Sequence, residues 1–200
     1  MTGVLIAFEG LDQSGKQTQA ERLGERVARA GRVVRPLSFP AYQTPIGHEL
    51  HLALHGERQY GPDVMQLLYV ANRHERREEI GCALEAGEVI ICDRYVASSV
   101  AYGEAQGLDA GWLIDIQRLL PAADLTILLD IEPATAVERK ATNRDRYERD
   151  LALQQRVRAS YRRQAERGGW LLLNGQGERD AIAEQVFTAA ARRLGLPSTP

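Results

Sequence analysis

The 200-residue sequence has few cysteines, few aromatic residues and no long uncharged hydrophobic stretch. Two cysteines, Cys82 and Cys92, are too few for a disulfide framework, and their apolar neighbours predict buried, unreactive thiols. No segment approaches the ~18 consecutive apolar residues of a transmembrane helix. The first apolar run also lacks the basic segment that opens a signal peptide. These absences predict a cytoplasmic protein that does not bind membranes.

Neither sign of charge is in excess. The formal net charge is −2, which argues against a general nucleic-acid-binding protein, because such proteins are usually clearly basic. Lysine is scarce, since among 25 basic residues only Lys16 and Lys140 are lysines. Two interpretations stay open here, a general preference for arginine or a role that arginine cannot fill. Hydrophobic residues make up 44% of the chain, enough for the core of one domain.

Short apolar runs alternate with helical patterns along the chain. The runs predict five strands, at residues 4–8, 33–37, 89–92, 125–130 and 170–173. The helical patterns cover residues 15–30, 62–86, 95–106, 110–120, 133–140, 150–167 and 178–194. Near-continuous hydrophobic strands between helices are typical of an α/β fold with a parallel sheet flanked by helices. We expect a single domain over residues 1–194 and a frayed tail at residues 195–200.

A glycine-rich loop follows the first predicted strand and leads into a helix. Its residues from Gly10 to Lys16 fit the pattern Gly-x4-Gly-Lys, in the strand–loop–helix context that a P-loop requires. Glycines let successive backbone N–H groups point at phosphate oxygens, and the helix N-terminus attracts the same anion. Lys16 would reach the β- and γ-phosphates as a point charge. An ordinary strand-to-helix turn is the alternative, and the matching context makes it the weaker one.

One position departs from the usual P-loop. A serine or threonine that binds Mg²⁺ normally follows the lysine, but here Gln17 does, and Thr18 comes one residue later. A helix turns by about 100° per residue, so Thr18 cannot occupy the same place. We therefore expect Mg²⁺ to be held by phosphate oxygens, water and a carboxylate. The predicted ATP-binding residues of the loop are Gly10, Leu11, Asp12, Gln13, Ser14, Gly15, Lys16, Gln17 and Thr18.

A basic segment interrupts the later part of the chain. Four arginines and one lysine lie within residues 139–149. One interpretation is a charged, solvated connection. The other is a mobile basic lid over a polyanion, at about residues 139–150.

The loop and several later motifs together resemble the thymidylate kinases, over about residues 4–175. Each motif is weak alone, but their order and spacing are specific. The motifs are the loop at residues 9–18, Phe39-Pro40-x-Tyr42, Tyr69-x-x-x-Arg73, Asp93-Arg94-Tyr95 and Arg146-Tyr147-Glu148. The resemblance implies a P-loop kinase fold and the transfer of the γ-phosphoryl group of ATP to dTMP, a step of dTTP biosynthesis. It also implies a requirement for Mg²⁺ and a homodimer.

The resemblance implies one set of residues around the phosphates. Lys16, Arg94 and Asp12 take part in phosphoryl transfer, and Asp12 and Asp93 lie near Mg²⁺, Asp93 through water. The alternative for Asp93 and Arg94 is a local ion pair that caps the strand. Some relatives carry an arginine at the position of Ala41 that helps to hold the acceptor phosphate, and here Arg94 and the lid would take over that task.

A second implied set binds dTMP. Tyr69 stacks on thymine, Arg73 donates to a thymine carbonyl, and Tyr102 lies against the 2′ position of the sugar. The alternative is that Tyr69 is a core residue and Arg73 a surface ion-pair partner. The full set is Asp12, Phe39, Pro40, Tyr42, Tyr69, Arg73, Arg94, Ser98, Ser99, Tyr102 and Gln106.

The lid receives catalytic residues by the same resemblance. Some relatives place a catalytic arginine inside the P-loop, and others supply it from the lid. With Gln13 in the loop, this sequence resembles the second group. Arg144 and Arg149 are then the catalytic candidates, and Arg146 is a candidate for contact with the adenine.

Two other functions are alternatives from the sequence alone. One is another nucleoside or nucleotide kinase, such as a deoxynucleoside kinase, which would need a carboxylate base for a sugar hydroxyl. The other is a nucleotide-binding module without catalysis, which the departures at Gln17 and Ala41 would favour. Intact Lys16 and Arg94 argue for an enzyme.

Overall fold

The computed structural model describes residues 2–139, 147 and 150–197. Five strands form one sheet in which every neighbouring pair is parallel. They are β1 (Val4–Glu9), β2 (Val34–Ser38), β3 (Val89–Asp93), β4 (Leu125–Asp130) and β5 (Leu171–Asn174). Their order across the sheet is β2-β3-β1-β4-β5. The predicted five-stranded parallel sheet is confirmed. At most of the strand ends, the observed boundary lies one residue from the predicted one.

Helices connect the strands and cover the sheet. They are α1 (Lys16–Arg29), α2 (Pro45–Leu54), α3 (Pro62–His74), α4 (Arg77–Glu85), α5 (Val96–Ala105), α6 (Ala110–Asp115), α7 (Pro133–Arg139), α8 (Leu151–Gly168) and α9 (Arg179–Leu194). Every predicted helix has a counterpart within residues 2–139 and 150–197. The helix predicted at residues 110–120 is shorter than expected, because α6 ends at Asp115. Two further differences concern residues 62–86 and α2.

The single helix predicted at residues 62–86 is in fact two helices. The chain turns at Glu75 and Arg76, where Arg76 leaves helical geometry at φ −105° and ψ 1°. The Glu75 carboxylate is occupied outside the helix, because it accepts hydrogen bonds from the Thr44 hydroxyl and the Ile46 amide. The helical periodicity of the sequence continues through this break and gives no sign of it.

The short helix α2 was not predicted, although its start carries ordinary signals. The Thr44 hydroxyl accepts from the Gly47 amide as an N-cap, and Pro45 occupies the first turn. Both residue types favour a helix start at these positions, so the sequence carries a local signal for α2.

Alternate residues of each strand face opposite sides of the sheet. Ile6 and Phe8 of β1 pack with residues of α1 and α9 on one face. Leu5 and Ala7 pack with Ile80 of α4 on the other. All six residues of β1 are buried, which explains why its sequence shows no alternation.

The two cysteines differ. Cys92 in β3 is buried, as predicted, and burial raises the pKa of its thiol. Cys82 is exposed, so the prediction for it was wrong. The buried face of α4 is formed by Ile80 and Ala83, and Cys82 lies about 200° around the helix from Ile80, away from the sheet.

The parallel arrangement brings three functional segments to one edge. The carboxyl ends of β1, β3 and β2 lead into the glycine-rich loop, Asp93-Arg94 and Phe39-Pro40, and these strands are neighbours. Ligands of open α/β sheets bind at this edge. No helix within the described part of the chain is long and apolar enough to cross a membrane. The greater part of the predicted lid, residues 140–146, 148 and 149, lies outside the described residues.

Candidate active site

The glycine-rich loop has the backbone of an anion-binding loop. Gly10 has φ +138°, and a Cβ added there would lie 2.5 Å from the backbone oxygen of Leu129. Gly15 has φ +95°, and the intervening Gln13 is also left-handed at φ +62°. The Lys16 ammonium lies over this curl and donates to the Leu11 carbonyl at 2.8 Å. The sequence prediction of a phosphate-binding loop thus has matching geometry.

Lys16 is 5% exposed in the ligand-free protein. Its pKa is lowered from 10.5 to about 8, first by burial and then by the positive charge of Arg94, while Asp12 and Asp93 act in the opposite direction. A phosphate anion beside the ammonium would favour the charged form.

Gln17 does not point toward a metal site. Its amide donates to the Glu21 carboxylate at 2.9 Å along the exposed side of α1. Two other polar atoms at the loop are buried and have no hydrogen-bond partner among the described residues, the hydroxyl of Ser14 and Oδ1 of Asp93. Buried polar atoms without a partner are uncommon in native proteins, and a bound ligand, ion or water would complete these two.

Arg94 is the centre of a polar cluster. Its backbone has φ +65°, a conformation that non-glycine residues adopt rarely and mostly at functional sites. Its Nη2 donates to Asp12 Oδ1 at 2.7 Å, and Nη1 donates to the hydroxyls of Ser98 and Tyr161, both at 3.2 Å. Burial alone would lower the pKa of Arg94, but Asp12, Tyr102 and Tyr161 together raise it well above its ordinary value. Arg94 is a permanent, oriented cation.

A fully buried carboxylate lies beneath this cluster. Glu9, the last residue of β1, accepts from the Tyr95 amide at 2.8 Å, the Ser98 hydroxyl at 2.7 Å and the Tyr161 hydroxyl at 3.0 Å. Burial and the nearby Glu9 raise the pKa of Tyr161 well above its usual range, so this phenol stays protonated. Glu9 and Tyr161 therefore fix the groups that hold Arg94.

Two cavities open at this edge of the sheet. The large cavity, of about 970 Å³, follows the glycine-rich loop from Asp12 to Thr18 and continues to the loop before α9. The small cavity, of about 100 Å³, lies between α3 and α5. They share five lining residues: Asp12, Phe39, Pro40, Tyr42 and Arg94.

The described lining of the large cavity carries more cations than anions. Its anions are Asp12 and Asp93, and its cations are Lys16, Arg76, Arg94, Arg139 and Arg179. Such a lining suits a polyanion.

Arg139, at the end of α7, ties distant parts of the large cavity together. Its guanidinium donates to the carbonyls of Gln13 at 2.9 Å and Gly175 at 3.1 Å. The first residue of the predicted lid thus contacts both the P-loop and the loop that follows β5.

Beyond the shared residues, the small cavity takes most of its lining from α3 and α5. Arg73 is 2% exposed, and its Nη1 donates to Ser99 at 2.8 Å and to Gln117 at 3.1 Å. Burial lowers the pKa of Arg73, while Glu9 acts in the opposite direction. The remaining described lining beyond the five shared residues is Leu54, Gln66, Tyr69, Ser98, Tyr102 and Tyr147.

A buried asparagine fixes the loop that both cavities share. Asn72 Oδ1 accepts from the Ala41 amide at 2.8 Å, and its Nδ2 donates to the Ala41 carbonyl at 3.2 Å and to Thr44 at 2.8 Å. A Cβ on Gly47 would lie only 1.8 Å from the Ala41 carbonyl oxygen, so a glycine is required there. The loop at residues 39–44, with its cis Phe39–Pro40 bond, is held against α2 and α3.

The structure brings most of the predicted site residues together. Asp12 to Thr18 and Asp93 line the large cavity, and the predicted dTMP residues from Phe39 to Tyr102 line the small one. Gly10 and Leu11 line neither cavity but belong to the same loop, where the Leu11 carbonyl accepts from Lys16. Gln106 lines neither cavity, because its amide turns back to the Tyr102 carbonyl at 2.8 Å. The predicted lid residues Arg144, Arg146 and Arg149 lie outside the described residues.

Several residues of the site were missed by sequence reasoning. A charged residue directly after a buried strand was a usable signal for Glu9. Arg139 lies in the predicted basic segment but received no role there. The others take part only through long-range packing, and no local pattern marks them: Gln66, Asn72, Arg76 and Tyr161.

Comparisons with known proteins agree with this geometry. A family model described as thymidylate kinase matches residues 8–186. A thymidylate kinase of Solidesulfovibrio magneticus is 36% identical over 96% of this chain and 100% of its own length. One of Dictyostelium discoideum is 31% identical over 98% of this chain and 90% of its own. The solved thymidylate kinase of Candida albicans superposes with a TM-score of 0.81 at 27% identity, covering 96% of this chain and 94% of that one.

Proposed function

This chain belongs to the thymidylate kinase family, and we propose that it transfers the γ-phosphoryl group of ATP to dTMP. The observation that carries the proposal is the meeting of the two cavities at Asp12 and Arg94. The large cavity has the P-loop and the cations that a nucleoside triphosphate needs. The small cavity has the size and side chains for a nucleobase. Their shared lining is where the two phosphate groups meet.

The reaction needs no strong base. An oxygen of the acceptor 5′-phosphate forms a bond to the γ-phosphorus as the bond to the β–γ bridging oxygen breaks, giving dTDP and ADP. The acceptor oxygen is already anionic, so the barrier is the approach of two anions. Lys16 and Arg94 lower it by positioning and by neutralising charge. The Asp12 contact orients Arg94 at the junction.

Mg²⁺ is part of this proposal. The partnerless buried Oδ1 of Asp93 lines the large cavity and is a donor atom that Mg²⁺ prefers. No cluster of three acidic, histidine or cysteine residues suited to a metal occurs among the described residues, which fits an ion held largely by phosphate oxygens and water. Asp93 and Asp12 would hold it, and it would neutralise charge on the donor phosphates.

Acceptor binding uses the small cavity. Tyr69 and Arg73 line it from one face of α3, where Tyr69 offers a ring face for stacking and Arg73 a donor for a base carbonyl. The Tyr102 hydroxyl contacts Asp12 Oδ2 at 3.4 Å. It is the residue that we assign to the 2′ position of the sugar.

Catalysis by Arg144 and Arg149 and an adenine contact by Arg146 stay predictions for the lid. The homodimer implied by the family also stays a prediction. Light scattering of the purified protein tests it.

The decisive experiment measures ADP release with ATP and a panel of acceptors: dTMP, dUMP, dCMP, dGMP and thymidine. We expect dTMP to be preferred and turnover to stop when EDTA removes Mg²⁺. The thymidylate kinase of Candida albicans has broad substrate specificity, which makes the panel informative. Turnover of thymidine alone would indicate a nucleoside kinase, and nucleotide binding without turnover would indicate a binding module.

A further inference from the structure

Three aromatic rings extend from the C-terminal end of α2 to the lining that the two cavities share. Tyr42 lines both cavities and is 45% exposed. Its ring meets the ring of His51 on α2 edge-on, with centroids 5.6 Å apart and planes at 81°. The His51 ring in turn lies against the ring of His55, with centroids 4.1 Å apart. A side chain at the junction of the cavities is therefore contacted by a residue that lines neither of them.

The geometry of α2 brings these rings together. His51 and His55 are four positions apart, so they lie on one face of the helix. Helical side chains point back toward the N-terminus of their helix, and the loop with Tyr42 directly precedes the start of α2 at Pro45. Nδ1 of His55 also hydrogen-bonds the His51 carbonyl at 2.8 Å. The ring of His55 is thus fixed beside the ring that contacts Tyr42.

The two helices beside the 39–44 loop fix different parts of it. Asn72 on α3 binds the backbone amide and carbonyl of Ala41, the residue before Tyr42. His51 on α2 contacts the Tyr42 ring itself. Nearly half of Tyr42 is exposed, and ordering such a side chain when a ligand binds costs conformational entropy. A neighbour that already orders the ring lowers this cost.

The contact between Tyr42 and His51 has the geometry of a favourable aromatic pair. In an edge-on arrangement, the positive rim of one ring faces the negative face of the other, and the pair is stabilised beyond the area that it buries. The arrangement is specific to one of the histidines within α2. His48 is also exposed on this helix, but its ring contacts neither Tyr42 nor His51 in the described chain.

We propose that His51 is a positioning residue for the acceptor nucleotide, and that it acts by holding the ring of Tyr42 in the lining where the two cavities meet. The proposal rests on the proposed function, because the role of Tyr42 in binding dTMP is part of it. His51 lines neither cavity, so its effect reaches the acceptor through Tyr42 alone.

The test is a double-mutant cycle on the dissociation constant for dTMP, measured by calorimetry. We expect His51→Ala to weaken binding by about fivefold, the size of effect expected for one aromatic pair, and Tyr42→Ala by about tenfold or more. In a protein that already carries Tyr42→Ala, the change His51→Ala should have less than about a twofold effect. An equal effect of His51→Ala with and without the Tyr42 ring overturns the proposal, and so does an effect below about twofold in the wild type.

A conservative variant separates the ring from the other properties of histidine. His51→Phe keeps a flat ring but has no ring nitrogen and no charge, so its affinity for dTMP should stay within about twofold of the wild type. If His51→Phe binds dTMP as weakly as His51→Ala does, the ring contact is not the cause and the proposal is wrong. The affinity for ATP should stay within about twofold in both variants. A loss for ATP as large as the loss for dTMP also overturns a role in acceptor binding.

The matched control is His48→Ala, which removes another exposed histidine from α2. It should leave dTMP binding unchanged. Alanine favours helices, so both alanine variants of α2 are expected to fold, and circular dichroism checks this. A loss of dTMP affinity in His48→Ala equal to that in His51→Ala would show a general effect of α2 and overturn the proposal. A wild type that does not bind dTMP would instead contradict the proposed function, and the two failures are therefore distinguishable.

Discussion

The large cavity takes its lining mainly from loops at the ends of strands, whereas the small cavity takes much of its lining from side chains of α3 and α5. In the large cavity, eight consecutive lining residues run from Asp12 to Gln19, and the left-handed backbone at Gln13 and Gly15 shapes the start of this run. In the small cavity, Gln66 comes from α3 and Ser99 from α5, with α4 and β3 between these helices in the sequence. Both side chains are buried.

The large cavity is thus characterised by its charge, and the small cavity by its shape. In the proposed function, the large cavity would bind a triphosphate through backbone N–H groups and cations, a chemistry that is general. The small cavity would bind the acceptor base through a few buried polar groups. Substitutions in the first should reduce turnover with every acceptor. Substitutions in the second should change acceptor affinity and leave ATP binding unaffected.

The largest effect is expected where the two cavities meet. Arg94→Ala removes the cation that both cavities share and leaves Asp12 without its ion pair. We expect kcat/KM for dTMP to fall by about 10³-fold, the range known for arginines that stabilise a transferring phosphoryl group. The measurement is steady-state ADP release, with folding checked by circular dichroism.

The control for Arg94→Ala is Arg29→Ala, because Arg29 is an exposed arginine at the end of α1 that forms an ion pair with Glu25 one helical turn earlier. It should retain wild-type turnover. If Arg94→Ala keeps more than about a tenth of the wild-type activity, Arg94 does not take part in the reaction. The cation that both cavities share would then not connect their functions.

The second prediction concerns the large cavity alone. The pKa of Lys16 is about 8 in the ligand-free protein, lowered by burial, and bound phosphates favour the charged ammonium. Above that pH, ATP binding must therefore take up a proton, close to one at about pH 9, and affinity should fall by about tenfold from about pH 7 to about pH 9. Calorimetry in two buffers of different ionisation enthalpy measures the uptake.

The matched variant for this titration is Lys16→Met, which should lose both affinity and the proton uptake. Release of protons on binding, or none, would contradict the lowered pKa. Binding of thymidine, which has no phosphate, should show no such dependence, and this sharpens the contrast between the cavities.

The sequence could predict the large cavity because its determinants are local. The glycine spacing, Lys16 and the preceding strand lie within a few residues, and alternating strands and helices imply the parallel sheet that positions them. The break between α3 and α4 could not be predicted, because the helical periodicity of the sequence continues through it. Glu75 at the break contacts a loop about 30 residues away, which no local pattern shows. Gln66 and Tyr161 resemble ordinary helix residues until α5 is packed against them.

The third prediction tests the fixed loop of the small cavity. Asn72→Ala leaves the Ala41 amide without its acceptor, while the Ala41 carbonyl loses one donor and keeps the amide and hydroxyl of Thr44. The loss should cost about 1–3 kcal/mol of unfolding free energy. We expect the KM for dTMP to rise about fivefold and the KM for ATP to change by less than about twofold. Denaturant unfolding and acceptor kinetics measure both.

Its control is Asn174→Ala, at the end of β5, where the side chain accepts only from the Gln176 amide in the described chain. A rise of the KM for ATP equal to that for dTMP would show that the 39–44 loop serves both cavities equally, and the contrast between the two cavities would fail.

The smallest effect is expected from Tyr161→Phe. The hydroxyl of Tyr161 donates to Glu9 and accepts from Arg94. When this hydroxyl is removed, Arg94 keeps its contacts with Asp12 and Ser98. The Arg94 side chain should be oriented less firmly but keep its charge. We therefore expect kcat to fall by about threefold while the KM for dTMP stays within about twofold. Tyr60→Phe, which removes a hydroxyl bound to Glu49 outside both cavities, should leave kcat unchanged. An effect of Tyr161→Phe on KM alone would place this hydroxyl in acceptor binding, and the network below Arg94 would then belong to the small cavity.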